Sequence, residues 1–177
     1  MLATCWPLAG SALKYSGVMD ATETLTAAID AARARDLDTL NGLVDWPLSG
    51  AAVVFRGLAD DIDAEDRSAV VASGLGELDQ AATDRTLTED VLGEFVPRLV
   101  AARQIRPAGP EERGAVLAEV RVPDEVAPGL TEAQGARQLE LRDRSARLDE
   151  VYVVVGDEGD VPVAWAPDTG RLVFVLD

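Results

Sequence analysis

The C-terminal stretch from Glu150 to Asp177 constrains the fold more than any other part of the chain. It contains three apolar runs rich in β-branched and aromatic residues, separated by two short polar loops, and this pattern is typical of an antiparallel meander. Pro167 and Asp168 suit the central positions of a type I turn, and Gly170 supplies the positive φ of a bulged hairpin. The predicted strands are Val151–Val155, Val161–Trp165 and Leu172–Leu176.

The N-terminal half carries mainly helical signals. Asp20 and Glu23 have the spacing of a helix capping box, and apolar residues then recur at helical intervals. Because the residue before a proline avoids the helical region, Pro47 is expected to end the second helix. The predicted elements are helices at 21–35 and 37–45, a short strand at Ala51–Phe55 and a further helix after Asp60.

The clearest break in the chain runs from Pro107 to Pro110. After it, Ala115–Val122 alternates between the two faces of a predicted strand, while residues 130–148 fit either strand or helix. We therefore predict an α+β fold, with N-terminal helices packed on a mainly antiparallel C-terminal sheet of four or five strands. The predicted organisation is a flexible extension at 1–19 and one domain at 20–177, helical over 20–106 and sheet-forming over 114–177.

The formal net charge is −16, from 32 acidic and 16 basic residues. Nucleic acids and anionic membranes both require a basic footprint on the proteins that bind them. We therefore expect this chain to bind neither. The acidic balance is compatible with a basic protein partner, since opposite charges steer association, or with a surface that is acidic for solubility alone.

The chain contains no histidine and only one cysteine, Cys5. These absences exclude His-activated nucleophiles, His-containing metal sites and thiolate clusters within the chain. No phosphate-binding glycine loop or dinucleotide fingerprint occurs, so we expect no cofactor and no hydrolytic or redox activity, although catalysis by carboxylates alone stays open. Because no run of about 18 apolar residues occurs and the first residues lack a basic signal-peptide region, we expect a cytoplasmic protein.

Two acidic runs are candidate contacts for a basic partner. The first run, at residues 60–66, begins with the ligand spacing of a calcium-binding loop, and the second lies at residues 157–160. In the first run, however, Asp66 occupies the position where a calcium loop needs glycine, and Ala72 the position where it needs glutamate. We interpret the first run as a solvated helix start and the second as a polar hairpin loop, with no metal bound at either. The candidate partner-binding residues are Asp60, Asp61, Asp63, Glu65, Asp157, Glu158 and Asp160.

Three aromatic residues, Trp46, Phe55 and Trp165, support an alternative function. Aromatic side chains line many ligand pockets, although they more often fill a core or an interface. If these three residues surround a pocket beneath the sheet, the chain would bind a small apolar molecule.

The segment Ala27–Leu48 resembles the opening helical hairpin of NTF2-like (SnoaL-like) domains, in which a helix, an acidic turn and a second helix precede a curved sheet. The resemblance implies helices packed on a curved antiparallel sheet with an apolar pocket. The His/Asp chemistry of the catalytic members of that family cannot apply, because the chain has no histidine.

The segment Val153–Leu176 resembles the end of SMI1/KNR4-like (SUKH) domains, which often run strand, Gly/Asp loop, strand, Asp-x-x-Gly turn, strand. The matching turn here extends from Pro167 to Gly170. Many members of that family are bacterial immunity proteins that bind and neutralise a toxin. The resemblance thus implies a protein-binding module, and an acidic binder would suit a basic nuclease toxin.

Overall fold

The computed structural model describes residues 19–56, 62–81 and 92–175. Within these ranges the chain forms seven helices and four strands, which confirms the α+β class. The helices are α1 (Ala21–Ala34), α2 (Leu37–Gly42), α3 (Trp46–Arg56), α4 (Ala64–Ala81), α5 (Phe95–Val100), α6 (Pro110–Glu119) and α7 (Glu132–Ser145). The strands are β1 (Ala102–Pro107), β2 (Val151–Gly156), β3 (Val161–Ala166) and β4 (Arg171–Phe174).

The four strands form one antiparallel sheet in the order β1-β2-β3-β4, and β2 to β4 are the predicted C-terminal meander. The turn between β3 and β4 has the predicted chemistry. The Gly170 amide donates a hydrogen bond to the Ala166 carbonyl at 2.8 Å, and Gly170 has a φ of 65°. Glycine adopts this left-handed conformation without the steric cost that a Cβ would add.

Helices cover both faces of the sheet. Successive strand residues point to opposite faces, so they enter two separate apolar clusters. The first cluster joins the sheet to α1, α2 and α5 and includes Trp46 and Ala81 at the ends of α3 and α4, and the second joins it to α3, α4, α6 and α7. Sheet residues of the first cluster include Val154, Val163, Leu172 and Phe174, and those of the second include Val151, Ala164, Ala166 and Val173.

The prediction of a strand at Ala51–Phe55 is wrong, because these residues belong to α3. Pro47 lies near the beginning of this helix and does not end the preceding one, which already stops at Gly42. A proline is tolerated in the first helical turn, where its missing N–H would have no intrahelical partner. Asp45 supplies the cap, since its carboxylate accepts a hydrogen bond from the Leu48 amide at 3.1 Å.

The region after Pro110 is also more helical than predicted. The expected strand at Ala115–Val122 is the end of α6 followed by irregular residues, and most of the 130–148 segment is α7. Val116 and Val120 lie four residues apart, a spacing that fits one face of a helix as well as one face of a strand. Conversely, β1 falls in the part predicted to be helical, and its partner is β2, about fifty residues later in the chain.

Candidate protein-binding surface

Helix α4 carries acidic side chains on its exposed surface. Its apolar side is buried through residues such as Val71 and Leu78. The exposed acidic residues along and just before the helix are Asp63, Asp66, Glu77 and Asp79, and we call these four the α4 acidic surface.

Only one of the predicted contact residues belongs to this surface. Asp63 is exposed and its carbonyl accepts the first hydrogen bonds of α4, while Glu65 lies in the first helical turn. Asp60 and Asp61 lie outside the described residues. The prediction missed the acidic residues farther along α4, although a count of charge over a longer window would have found them. Residues 60–94 contain eleven acidic and only two basic residues.

The carboxylates of the α4 acidic surface form no ion pair among the residues that the structure describes, although Arg67 lies on the same helix. Glu77 accepts a 3.4 Å hydrogen bond from the Ser73 hydroxyl. Asp66 and Glu77 lie on one side of the helix about three turns apart, whereas Asp79 lies on nearly the opposite side. Exposed charges of one sign add to a potential that attracts the opposite charge. This part of the surface is therefore suited to attract a cationic partner.

The second predicted acidic run, in the loop between β2 and β3, differs in its surroundings. Asp157, Glu158 and Asp160 are all exposed, as expected. However, Asp157 forms an ion pair with Arg103 of β1, and Arg106 of the same strand lies close enough to Asp160 to interact electrostatically with it. Arg103 thus offsets part of the negative charge of this loop, and Arg106 adds a weaker interaction with Asp160.

Arg106 also binds a carboxylate outside the loop. Its two terminal nitrogens donate to the two carboxylate oxygens of Glu112 at 2.7 Å each, and one of these oxygens also accepts from the Gly109 amide at 2.9 Å. The hydrogen bond from Arg106, followed by that from Gly109, lowers the pKa of Glu112 to about 2. This pair fastens the N-terminus of α6 to β1, consistent with a structural role.

A partly buried ionic cluster connects three distant parts of the chain. Arg144, near the end of α7, donates to Asp45 and to Asp168 at 2.6 Å each, and the Thr169 hydroxyl donates to Asp45 at 2.8 Å. The Asp45 side chain is only 3% exposed. Burial opposes the charged form of Arg144, but the hydrogen bonds to Asp168 and Asp45 outweigh burial and raise its pKa.

The hydrogen bond from Arg144 lowers the pKa of Asp168 and outweighs partial burial, which would raise it. Every carboxylate in this cluster has a partner, and the cluster holds α3, α7 and the β3–β4 turn together. It is therefore a structural ion-pair network, with no unused group to bind a ligand.

A cleft of about 220 Å³ lies between α1 and the outer edge of β1. Arg33 reaches across it and donates to the Ala102 carbonyl at 2.6 Å, which satisfies one main-chain group at the edge of the sheet. None of the predicted contact or pocket residues lines this cleft. Its lining consists of Thr26, Ile29, Asp30, Arg33, Ala102, Arg103, Gln104 and Ile105.

The three aromatic residues predicted around a pocket lie in different environments. Trp46 is buried in the first apolar cluster, and Trp165 is half-buried against the same cluster. Phe55 is buried in the second cluster, on the other face of the sheet. The sheet thus separates Phe55 from the two tryptophans, and the three side chains do not surround one common space.

In the described ranges, no group of three or more His, Cys, Asp or Glu side chains is arranged to hold a metal ion. Across the same residues, no helix is both long and apolar enough to cross a membrane. Comparisons of the chain with protein-family models, with curated proteins and with solved structures find no match. The resemblances to NTF2-like and SUKH domains therefore remain predictions.

Proposed function

We propose that this chain is a non-catalytic protein-binding module that uses the α4 acidic surface to bind a basic protein. The proposal rests on the difference in ion pairing between the α4 acidic surface and the acidic β2–β3 loop. In the β2–β3 loop Asp157 pairs with Arg103 and Asp160 lies near Arg106, whereas Asp66 and Glu77 are exposed and form no ion pair with another described residue.

Such a surface acts chiefly on association. Exposed charges steer a partner of opposite charge towards the correct encounter and disfavour partners of the same charge, more than they add to affinity in the final complex. Their effect weakens with salt, because the Debye length is about 8 Å at physiological ionic strength. A complex built on this surface is therefore expected to form quickly at low salt and more slowly at high salt.

The kind of partner follows from the same charge argument. An immunity-type role, in which the chain neutralises a basic toxin such as a nuclease, agrees with the acidic surface and with the resemblance of Val153–Leu176 to SUKH domains. The toxin would supply the basic patch with which it contacts its own anionic substrate. The apolar-ligand alternative has less support, since Phe55 and Trp46 are packed into separate clusters.

The test is affinity capture with three immobilised proteins at about 50 mM and about 500 mM salt, which span Debye lengths from longer to shorter than 8 Å. The three are the original chain, a variant with Asp66→Lys, Glu77→Lys and Asp79→Lys, and a control with Asp157→Lys, Glu158→Lys and Asp160→Lys. We expect a basic protein to be captured at low salt by the original chain and by the loop control, and to be lost by the α4 variant. Capture that resists salt, or that survives the α4 reversal, would contradict the proposal.

A further inference from the structure

The outer side of the α3–α4 pair exposes two valines beside the acidic residues of α4. Val53 on α3 and Val70 on α4 are 45% and 43% exposed. Single exposed apolar residues are common on protein surfaces, so their position relative to one another and to the charges decides whether they are informative.

Two glycines bring the helices close together and fix their alignment. A Cβ at Gly74 would lie 2.8 Å from Cγ2 of Val54, and a Cβ at Gly50 would overlap the side chain of Leu78. Residue 50 thus lies beside residue 78, and residue 54 beside residue 74. The two helices therefore run antiparallel, and we call the line where their solvent-facing sides meet the α3–α4 groove.

The two exposed valines lie on the same side of this groove. Phe55 of α3 and Val71 of α4 point into the second apolar cluster. Successive helical residues are rotated by about 100°, so Val53, two positions before Phe55, and Val70, one position before Val71, point away from that cluster. Because the two helices are antiparallel, both valines then lie on the solvent side of the groove.

Two acidic residues of α4 lie on the same side of the helix as Val70. Asp66 lies one turn before Val70, and Glu77 lies two turns after it, so both acidic side chains share its side of α4. Both are exposed. The groove therefore offers a small apolar centre with a carboxylate towards each end.

We propose that this groove binds one face of an amphipathic basic helix of the partner protein. The apolar side chains of that helix pack on Val53 and Val70, and its Lys or Arg side chains bind Asp66 and Glu77. This inference rests on the proposed function and specifies the form of the partner's contact segment. Charge complementarity selects this occupant over a second copy of the chain, which would bring acidic residues against acidic residues.

The experiment uses two synthetic peptides of leucine and lysine with the same composition and a length of about 18 residues, or five helical turns. In one peptide the leucines form a single helical face, and in the other they are scattered. Binding to the whole chain is measured by fluorescence anisotropy at about 150 mM salt, where long-range charge effects are screened. The tested variant combines Val53→Ser with Val70→Ser, and the control is Leu139→Ser, another partly exposed apolar residue, on α7.

We expect the amphipathic peptide to bind roughly tenfold more tightly than the scattered one, as expected when two half-exposed valines are covered. The preference should disappear in the double valine variant and persist in the Leu139→Ser control. Equal binding of the two peptides, with both lost on Asp66→Lys and Glu77→Lys, would overturn the helix groove while leaving the acidic surface as the binding site. A preference that survives the valine changes would also overturn it, and binding of neither peptide would count against the groove and the proposed function together.

Discussion

The α4 acidic surface and the β2–β3 loop both carry exposed aspartate and glutamate but have different surroundings. The acidic residues of the loop lie within 157–160, and those of the α4 surface are spread from Asp63 to Asp79. The loop lies beside β1, whose Arg103 pairs with Asp157 and whose Arg106 interacts with Asp160. The α4 surface has no ion-pair partner among the residues described. The number of acidic residues alone therefore does not distinguish the two regions, and the position of the nearest cations shows which carboxylates pair within the described part of the chain.

The cluster of Asp45, Arg144 and Asp168, in which Asp45 is buried, is the clearest case of ion pairing within the chain. Replacing Arg144 by methionine should destabilise the protein by about 3 kcal/mol, because the buried Asp45 carboxylate loses its main compensating charge. The free energy of unfolding would be measured by urea denaturation. Asp66→Asn with Glu77→Gln should change it by less than about 0.5 kcal/mol, because these exposed groups form no ion pair with another described residue.

Arg137→Met is the matched control for this comparison. Arg137 lies on the same helix and pairs with Glu140 on the surface, where about 1 kcal/mol or less is expected from the pair. Similar losses of unfolding free energy for Arg144→Met and Arg137→Met would show that the cluster around Asp45 contributes no more to stability than a surface pair. That result would contradict the distinction between carboxylates paired inside the chain and carboxylates exposed without an ion pair.

A smaller effect is expected at the exposed pair of Arg106 and Glu112. Arg106→Gln should raise the pKa of Glu112 from about 2 towards its usual value, because the hydrogen bond from Arg106 is the main cause of the lowered pKa. The carboxyl chemical shift of Glu112, followed by NMR over acidic pH, reports this change. Arg113→Gln is the control, since Arg113 makes no ion pair with Glu112 in the structure.

The sign of the pH dependence follows from the lowered pKa. Glu112 loses its proton more readily in the folded chain than in the unfolded one, so the pair contributes stability above the unfolded pKa, near 4.5. This contribution should disappear as the pH falls through about 2. A Glu112 pKa that stays low in Arg106→Gln would show that the hydrogen bond from the Gly109 amide, rather than the one from Arg106, stabilises the ionised Glu112 carboxylate.

The parts of the fold that could be predicted are those with local causes. The capping box of α1 forms as expected, with the Glu23 amide donating to Asp20 at 2.8 Å, and Gly170 takes the positive φ that its turn requires. Both depend on residues only a few positions apart, so the sequence contains the whole interaction.

The features that were missed depend on distant partners. β1 has the polar sequence ARQIRP and becomes a strand through its pairing with β2, far along the chain. Gly74 is unfavourable in an isolated helix, but here it makes room for Val54 of the neighbouring helix. The pairing of Arg103 with Asp157 likewise depends on the fold, which is why both acidic runs were equal candidates from the sequence.

The most direct test of the central claim is the position of a basic ligand on the surface. The whole chain, labelled with ¹⁵N, would be titrated with a lysine-rich helical peptide and followed by two-dimensional NMR. We predict amide shifts grouped at Asp66, Val70 and Glu77, with less change from Asp157 to Asp160, because Arg103 already pairs with Asp157 in that loop. Shifts centred on residues 157–160, or spread evenly over all acidic residues, would contradict the claim that counterion placement defines the binding surface.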